Sequence, residues 1–175
     1  MKDNNIVTLE IVKEDELEKF KEDLKESFSV TVIEEFGSID AGPIPSDKEI
    51  EESFKADGAY TYHILLNGSR VGGVVVCIDE KTQHNSLDLL FIYKREGGKG
   101  IGYKTWKTIE KMYPETKVWE THTPCFEKRN IHFYVNKCGF KIVEYLSEKY
   151  HNPHDEEGEG LPGGEDFFRF EKVMK

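Results

Sequence analysis

The chain is short of basic residues, of cysteine and of long apolar runs, and each shortage excludes something. Its 175 residues carry 24 Lys and Arg against 34 Asp and Glu, a net charge of −10. Attraction to nucleic acid or to anionic lipid is driven by cations that release counterions, so this balance argues against a nucleic-acid partner and leaves a small anionic ligand at one local site. No stretch approaches the ~18 consecutive apolar residues of a spanning helix, and the opening Met1-Lys2-Asp3-Asn4-Asn5 has no apolar run behind it. The expectation is a cytoplasmic protein with no membrane partner. Three cysteines, Cys77, Cys125 and Cys138, are widely spaced and form no Cys-x-x-Cys pair, which fits reduced thiols and excludes a disulfide framework or a zinc site. With 37% hydrophobic residues, a chain of this length buries roughly 70% of the surface its unfolded form exposes. One domain over residues 1–175 is expected, with no repeat and no linker.

The hydrophobic pattern changes period along the chain. Residues 6–12 alternate and read as a strand. From Glu14 onward, Leu17, Phe20, Leu24 and Phe28 recur at three- and four-residue steps, a helical stripe that continues through Val32, Ile33 and Phe36 until the Gly- and Pro-containing segment Gly37 to Pro45. Ser46-Asp47-Lys48-Glu49 has the form of a capping box and opens a short helix to about Asp57. Tyr60 to Leu66, Val71 to Asp79 and Ser86 to Tyr93 are β-branched or aromatic runs broken by Asn67-Gly68 and by polar residues 80–85, an antiparallel meander. A helix follows from Ile101 to Met112, then a strand from Lys117 to Thr121. A short helix from Asn130 to Lys137 ends at Cys138-Gly139, and two strands, Phe140 to Tyr150 and Phe167 to Val173, flank an acidic Gly-rich loop.

Between the third meander strand and the long helix stands Gly97-Gly98-Lys99-Gly100-Ile101-Gly102. A strand, clustered glycines and a helix start bind phosphate, because free amides and the positive helix end face the ligand and glycine lets it approach. A nucleotide P-loop needs glycine at position 93 and Ser or Thr after the lysine, where Tyr93 and Gly100 stand. The dinucleotide fingerprint needs glycine at position 103 or 105, where Tyr103 and Thr105 stand. Both are excluded.

Arg95-Glu96-Gly97-Gly98-Lys99-Gly100 matches the Gln/Arg-x-x-Gly-x-Gly/Ala signature of the GCN5-related N-acetyltransferase (GNAT) family, in that family's place between a strand and its long helix. Phe133-Tyr134-Val135-Asn136-Lys137-Cys138-Gly139-Phe140 is similar to the family's FYxKxGF pattern, about 35 residues on. The order of elements from residue 6 to 173 also resembles the family's. The resemblance implies an α/β (α+β) fold, a mixed and mostly antiparallel central sheet of about seven strands flanked by helices. Two positions depart from the family pattern: Gly97 stands where arginine is common, and Glu127 stands where many members have asparagine, with Asn130 one helical turn before Tyr134.

The activity implied is direct acetyl transfer from acetyl-CoA, as co-substrate, to a primary amine, with no metal. By resemblance, Leu90, Phe91 and Ile92 hold the pantetheine arm on a diverging strand. Gly98, Lys99, Gly100, Ile101, Gly102 and Tyr103 hold the pyrophosphate, with Asn130 added on the cofactor side. Tyr134 is the acid that protonates the leaving thiolate. Three residues compete as base: Asp88, expected on the same face as Leu90 and Ile92, and Glu120 and His122, which alternate together on the following strand. A water chain with no dedicated base is the fourth option. Cys77 and Cys138 read as packing residues, and Cys125, though near Glu127, His122 and His132 in sequence, is not needed as a nucleophile for direct transfer. His151-Asn152-Pro153-His154 reads as a loop.

Acceptor choice is expected in residues 36–50 and 151–166. The second segment contains Asp155, Glu156, Glu157, Glu159, Glu165 and Asp166 with no Lys or Arg, which suggests either a solvated loop or an acidic rim that steers a cationic small molecule or peptide. Trp119, Tyr60 and Tyr62 are candidate aromatic walls. The competing reading is a CoA-binding regulatory module of the same fold without turnover, and the assembly expected is a monomer or homodimer.

Overall fold

The computed structural model describes residues 4–37, 45–147 and 166–175. Seven strands, β1 (Val7–Ile11), β2 (Ala59–Leu66), β3 (Ser69–Cys77), β4 (His84–Ile92), β5 (Val118–Pro124), β6 (Lys141–Leu146) and β7 (Phe167–Val173), form one sheet in the order β1-β2-β3-β4-β5-β7-β6. Every pairing is antiparallel except β4 with β5. The expected mixed, mostly antiparallel seven-stranded sheet flanked by helices is what the chain forms.

The helices lie where the periodicity placed them. After one 3₁₀ turn, α1 (Leu17–Phe36) buries Phe20, Leu24 and Val32. It ends at Gly37, whose left-handed conformation (φ 79°) lets its N–H reach the Ile33 carbonyl at 2.8 Å. Val32 continues the buried stripe as expected, whereas Ile33 faces out, 47% exposed. α2 (Asp47–Lys55) opens on the capping box, with Glu49 N–H donating to Ser46 Oγ at 3.1 Å and Ser46 N–H to Glu49 Oε2 at 2.6 Å. α3 (Ile101–Met112) follows the glycine turn, and α4 (Lys128–His132) leads into a wider π-helical turn at Phe133–Lys137.

The sheet divides two apolar clusters. On one face α3 packs Ile101, Trp106 and Ile109 against Val74, Val76, Leu87, Trp119, Phe140 and Phe170. On the other, Phe20 and Leu24 of α1 and Ile50 of α2 cover Val75 and Phe91. Gly73 allows α1 to sit this close: a Cβ there would lie 2.2 Å from the Phe20 ring and 2.7 Å from that of Phe91. Burial of such apolar surface stabilises by roughly 25 cal/mol per Å², so both faces contribute to fixing the position of β4. Ser38 to Ile44 of the 36–50 segment, the end of the expected Phe140–Tyr150 strand from residue 148, and the acidic loop up to Glu165 lie outside the described residues.

Candidate active site

The site forms where two neighbouring strands part. β4 and β5 pair only over His84–Leu87 and Val118–Thr121. Thr121 Oγ1 donates to the Leu87 carbonyl at 2.8 Å, at the last paired position. Beyond it, β5 turns to pair with β7 while β4 stays with β3. Tyr93 donates its N–H to the Val71 carbonyl of β3 at 2.9 Å, and strand backbones alternate in direction. Phe91 backbone groups therefore also face β3, and those of Leu90 and Ile92 face the gap that β5 has left. The Phe91 side chain is buried beside Phe20 at a ring-centroid distance of 5.2 Å, so of the three β4 residues proposed from sequence, Leu90 and Ile92 present backbone to the gap and Phe91 does not.

A β-bulge sets the direction of Asp88. Val76 pairs with Leu87 and Val75 with Leu89, so Asp88 is the extra residue. The bulge moves Asp88 off the face of Leu90 and Ile92, where strict alternation had placed it. Leu90 and Ile92 join the α3 cluster, whereas Leu89 joins the α1 cluster, and Asp88 Oδ1 accepts from Ser86 Oγ at 2.6 Å on that same side. Its carboxyl is reached by solvent through the cleft but crowded by protein around it. That desolvation pushes its pKa up, helped by the Glu120 charge and opposed by the Ser86 hydrogen bond and by His122.

Glu120 and His122 project to the same side from β5. His122 has its pKa lowered, chiefly by desolvation and against the pull of Glu120. Glu120 Oε1 lies 3.7 Å from His122 Nε2 and 3.9 Å from Arg169 Nη1, and Oε2 lies 3.2 Å from His84 Nε2. Asp88 and His122 line a cleft of about 420 Å³ that also takes in Leu90, Thr121, Glu127, Asn130 and Tyr134; Glu120 stands behind His122, outside it.

Tyr134 enters the cleft from the π-helical turn. The turn is widened because Cys138 donates to the Phe133 carbonyl, five residues back, at 3.0 Å, where sequence suggested a regular helix. Its ring is 94% buried, packed against Phe133, Phe140 and Phe170 at centroid distances of 5.2, 5.6 and 5.8 Å. Burial raises its pKa above the ordinary phenol value, opposed by its hydrogen bond with the Thr121 hydroxyl. The phenol is therefore a neutral O–H held at the point where the strands part.

At the other end, the glycine turn presents an open cradle. Gly98 (φ 81°) and Gly100 (φ 69°) are left-handed, and a Cβ added at either meets nothing within 4 Å. Lys104 N–H returns to the Gly100 carbonyl at 3.2 Å, which leaves the amides of Ile101, Gly102 and Tyr103 at the first turn of α3 without partners inside the helix. The Ile101 side chain is core and the Tyr103 ring is 42% exposed. Lys99 Nζ is held by Glu96 at 2.7 Å. Asn130, from α4, lines the cleft between Glu127 and Tyr134.

Several candidates fall elsewhere. Trp119 is fully buried against Trp106 on the α3 face, and Tyr62 hydrogen-bonds Tyr113 at 2.6 Å with Tyr60 stacked on it, so none is a wall of this cleft. Cys138 is buried with its thiol pushed up to about 12 by desolvation. Cys77 donates to the Asp57 carbonyl at 2.8 Å, and burial raises its pKa also. Glu49 and Ile50, from the 36–50 segment where acceptor choice was expected, line the cleft from α2, whereas Phe28 of α1 and Ser53 of α2 also line it and were not foreseen. Phe28 was legible as part of the stripe, but nothing in its spacing distinguishes a stripe residue that faces a cavity.

Residues 17–140 match the Acetyltransferase (GNAT) family. The chain belongs to the GNAT acetyltransferase family. It is 52% identical over 174 residues to the uncharacterized protein YrkN of Bacillus subtilis (strain 168), covering 97% of this chain and 94% of that one. Among solved structures, a spermidine N-acetyltransferase from Vibrio cholerae in complex with CoA and spermine superposes with a TM-score of 0.64 at 15% identity, over 95% of both chains. An aminoglycoside acetyltransferase, AAC(6')-Ib, in complex with coenzyme A gives 0.64 at 18% identity, over 95% of this GNAT chain and 94% of that one. At these identities the two share the fold.

Proposed function

We propose that this GNAT protein transfers the acetyl group of acetyl-CoA directly to a primary amine, with the thioester lying between the parted ends of β4 and β5. The observation that carries the reading is the line formed by the open glycine cradle, the unpaired backbone of Leu90 and Ile92, and the neutral phenol of Tyr134. Phosphate oxygens would take the first-turn amides of α3, and the gap-facing backbone would hold the pantetheine arm and polarise the thioester carbonyl. The CoA and amine ligands of the two structural relatives agree with this chemistry.

The amine nitrogen attacks the carbonyl carbon, the C–N bond forms, and collapse of the intermediate breaks the C–S bond. Asp88 takes the amine proton, and its raised pKa makes it a better base than an exposed carboxylate. His122, held below its usual pKa and so largely neutral at pH 7, lies beside that route, with Glu120 behind it as a positioning residue. Tyr134 gives its proton to the departing thiolate.

The test is acetyl-CoA binding followed by thermal unfolding. Acetyl-CoA raises the Tm of the wild type, because it binds only the folded state. Gly100→Val fills the cradle where its Cβ meets no protein atom. The variant has a lower Tm of its own, since a left-handed conformation strains a branched residue by about 1–2 kcal/mol, and it shows no further shift with acetyl-CoA. Equal shifts in the two proteins would overturn the placement of the cofactor.

A further inference from the structure

The two sides of the cleft differ in chemistry, and the difference bears on the acceptor. On the face toward which Asp88 and His122 point, β7 runs antiparallel to β5 with Pro124 opposite Phe167, His122 opposite Arg169 and Glu120 opposite Glu171. This face is charged at the Glu120 end and turns apolar at Pro124 and Phe167, where it enters the cleft. Leu146, paired with Phe167, extends the apolar end. Across from it, α1 and α2 supply Phe28, Val32 and Ile50.

Among the described residues, the carboxylates available there are few. Glu49 is engaged in capping α2. Glu127 lies at the start of α4, near enough to Tyr134 to act on its charge, and so on the thiolate side. On the outer side of α1 and α2, Lys21 Nζ lies 3.0 Å from Glu51 and Lys25 Nζ 2.5 Å from Asp47, so those acids already face cations. Among the described residues, Asp88 is the one carboxylate directed into the apolar end. The whole cleft, about 420 Å³, lies near the lower bound of small-molecule sites, roughly 300–1,000 Å³, and it has to admit the thioester as well.

We infer that the acceptor is a primary monoamine with a compact apolar body, such as an arylalkyl or branched alkyl amine, and not a polycation; the inference rests on the acetyl-transfer reading above. Its ammonium is received by Asp88 and its apolar body lies between Phe28 and Ile50 on one side and Phe167 and Leu146 on the other. A second cationic group would have to be desolvated against apolar walls where no other carboxylate among the described residues meets it.

The experiment measures thiol release from acetyl-CoA with 2-phenylethylamine, isopentylamine, ethylamine and spermidine as acceptors. The expected kcat/KM for 2-phenylethylamine exceeds those for ethylamine and spermidine by at least about tenfold, since each methylene-sized contact in such a pocket is worth roughly 10–200-fold. Phe28→Ala lowers the ratio of kcat/KM for 2-phenylethylamine to that for ethylamine by about tenfold. Ser53→Asp, which adds a carboxylate to the α2 wall, raises the spermidine to 2-phenylethylamine ratio, and it serves where Phe28→Ala unfolds. Acetyl-CoA binding in each variant reports the fold independently. A wild-type preference for spermidine, or unchanged ratios in both folded variants, overturns this inference while leaving acetyl transfer standing. Acetyl-CoA binding without turnover on any amine overturns the acetyl-transfer reading, and this inference with it.

Discussion

Replacing Tyr134 by phenylalanine removes one oxygen from the place where the account puts the acid. The ring is 94% buried among Phe133, Phe140 and Phe170, and phenylalanine keeps all of these contacts. What is lost from the fold is the hydrogen bond with the Thr121 hydroxyl. Thr121 still donates to the Leu87 carbonyl at 2.8 Å, so no buried donor is stranded and the cost is about 1 kcal/mol. For a chain of this length that lowers Tm by roughly 2–4 °C. Acetyl-CoA affinity changes little, because the cradle and the Leu90 and Ile92 backbone are untouched. Turnover, by contrast, loses the proton donor to the thiolate, and a general acid is worth about 10²-fold or more. The assay pairs calorimetric acetyl-CoA binding with the steady-state kcat for thiol release. A folded Tyr134→Phe variant with wild-type kcat would refute the assignment and leave Tyr134 as a packing residue.

Two further variants probe the basic side of the reaction. Asp88→Asn keeps an acceptor for Ser86 Oγ but cannot take a proton, so the acid limb of the kcat/KM profile, placed above the ordinary carboxylate range by burial of Asp88, disappears; a limb that persists in the variant excludes Asp88 as base. The same raised pKa means that the folded state binds more protons than the unfolded one between the two values. Wild-type stability therefore falls relative to Asp88→Asn as pH rises through that window, and a pH-independent difference in urea midpoints contradicts it. Glu120→Gln removes the charge 3.7 Å from His122 that opposes desolvation. The His122 ring then titrates at still lower pH by NMR, and kcat falls by less than about tenfold, as suits a group outside the cleft; an unmoved His122 titration refutes the pairing.

The sequence made the order of elements legible because each element carries its own local signal. The capping box at Ser46 and the clustered glycines before Ile101 are chemical requirements of the backbone, and both appear where the spacing placed them. Tyr134 was singled out by the resemblance of Phe133 to Phe140 to the family pattern, and the structure brings it to the cleft. The face of Asp88 was not legible, because a bulge inserts one residue into the β4 ladder through its pairing with β3, and no residue type in β4 announces it. Nor was the side of the sheet taken by Trp119, since alternation along β5 says which residues share a face but not which helix covers it. The π-helical turn at Phe133–Lys137 was not legible either: it is closed past left-handed Gly139 by the Phe140 N–H reaching back to the Tyr134 carbonyl at 2.9 Å, and a π turn leaves no distinct periodicity over five residues. That Phe28, Ile50 and Phe167 share one cleft was hidden for a related reason. They are distant in sequence, and only the parting of β4 from β5 brings them around one space.

Direct acetyl transfer at that space is tested by the stoichiometry of its products. With acetyl-CoA and 2-phenylethylamine, free thiol and N-acetylated amine are quantified together while the intact mass of the protein is followed. Direct transfer yields thiol and acetylated amine in a one-to-one ratio, with the protein mass unchanged throughout. Thiol released without acetylated amine, or an acetyl group accumulating on the protein during turnover, would contradict it.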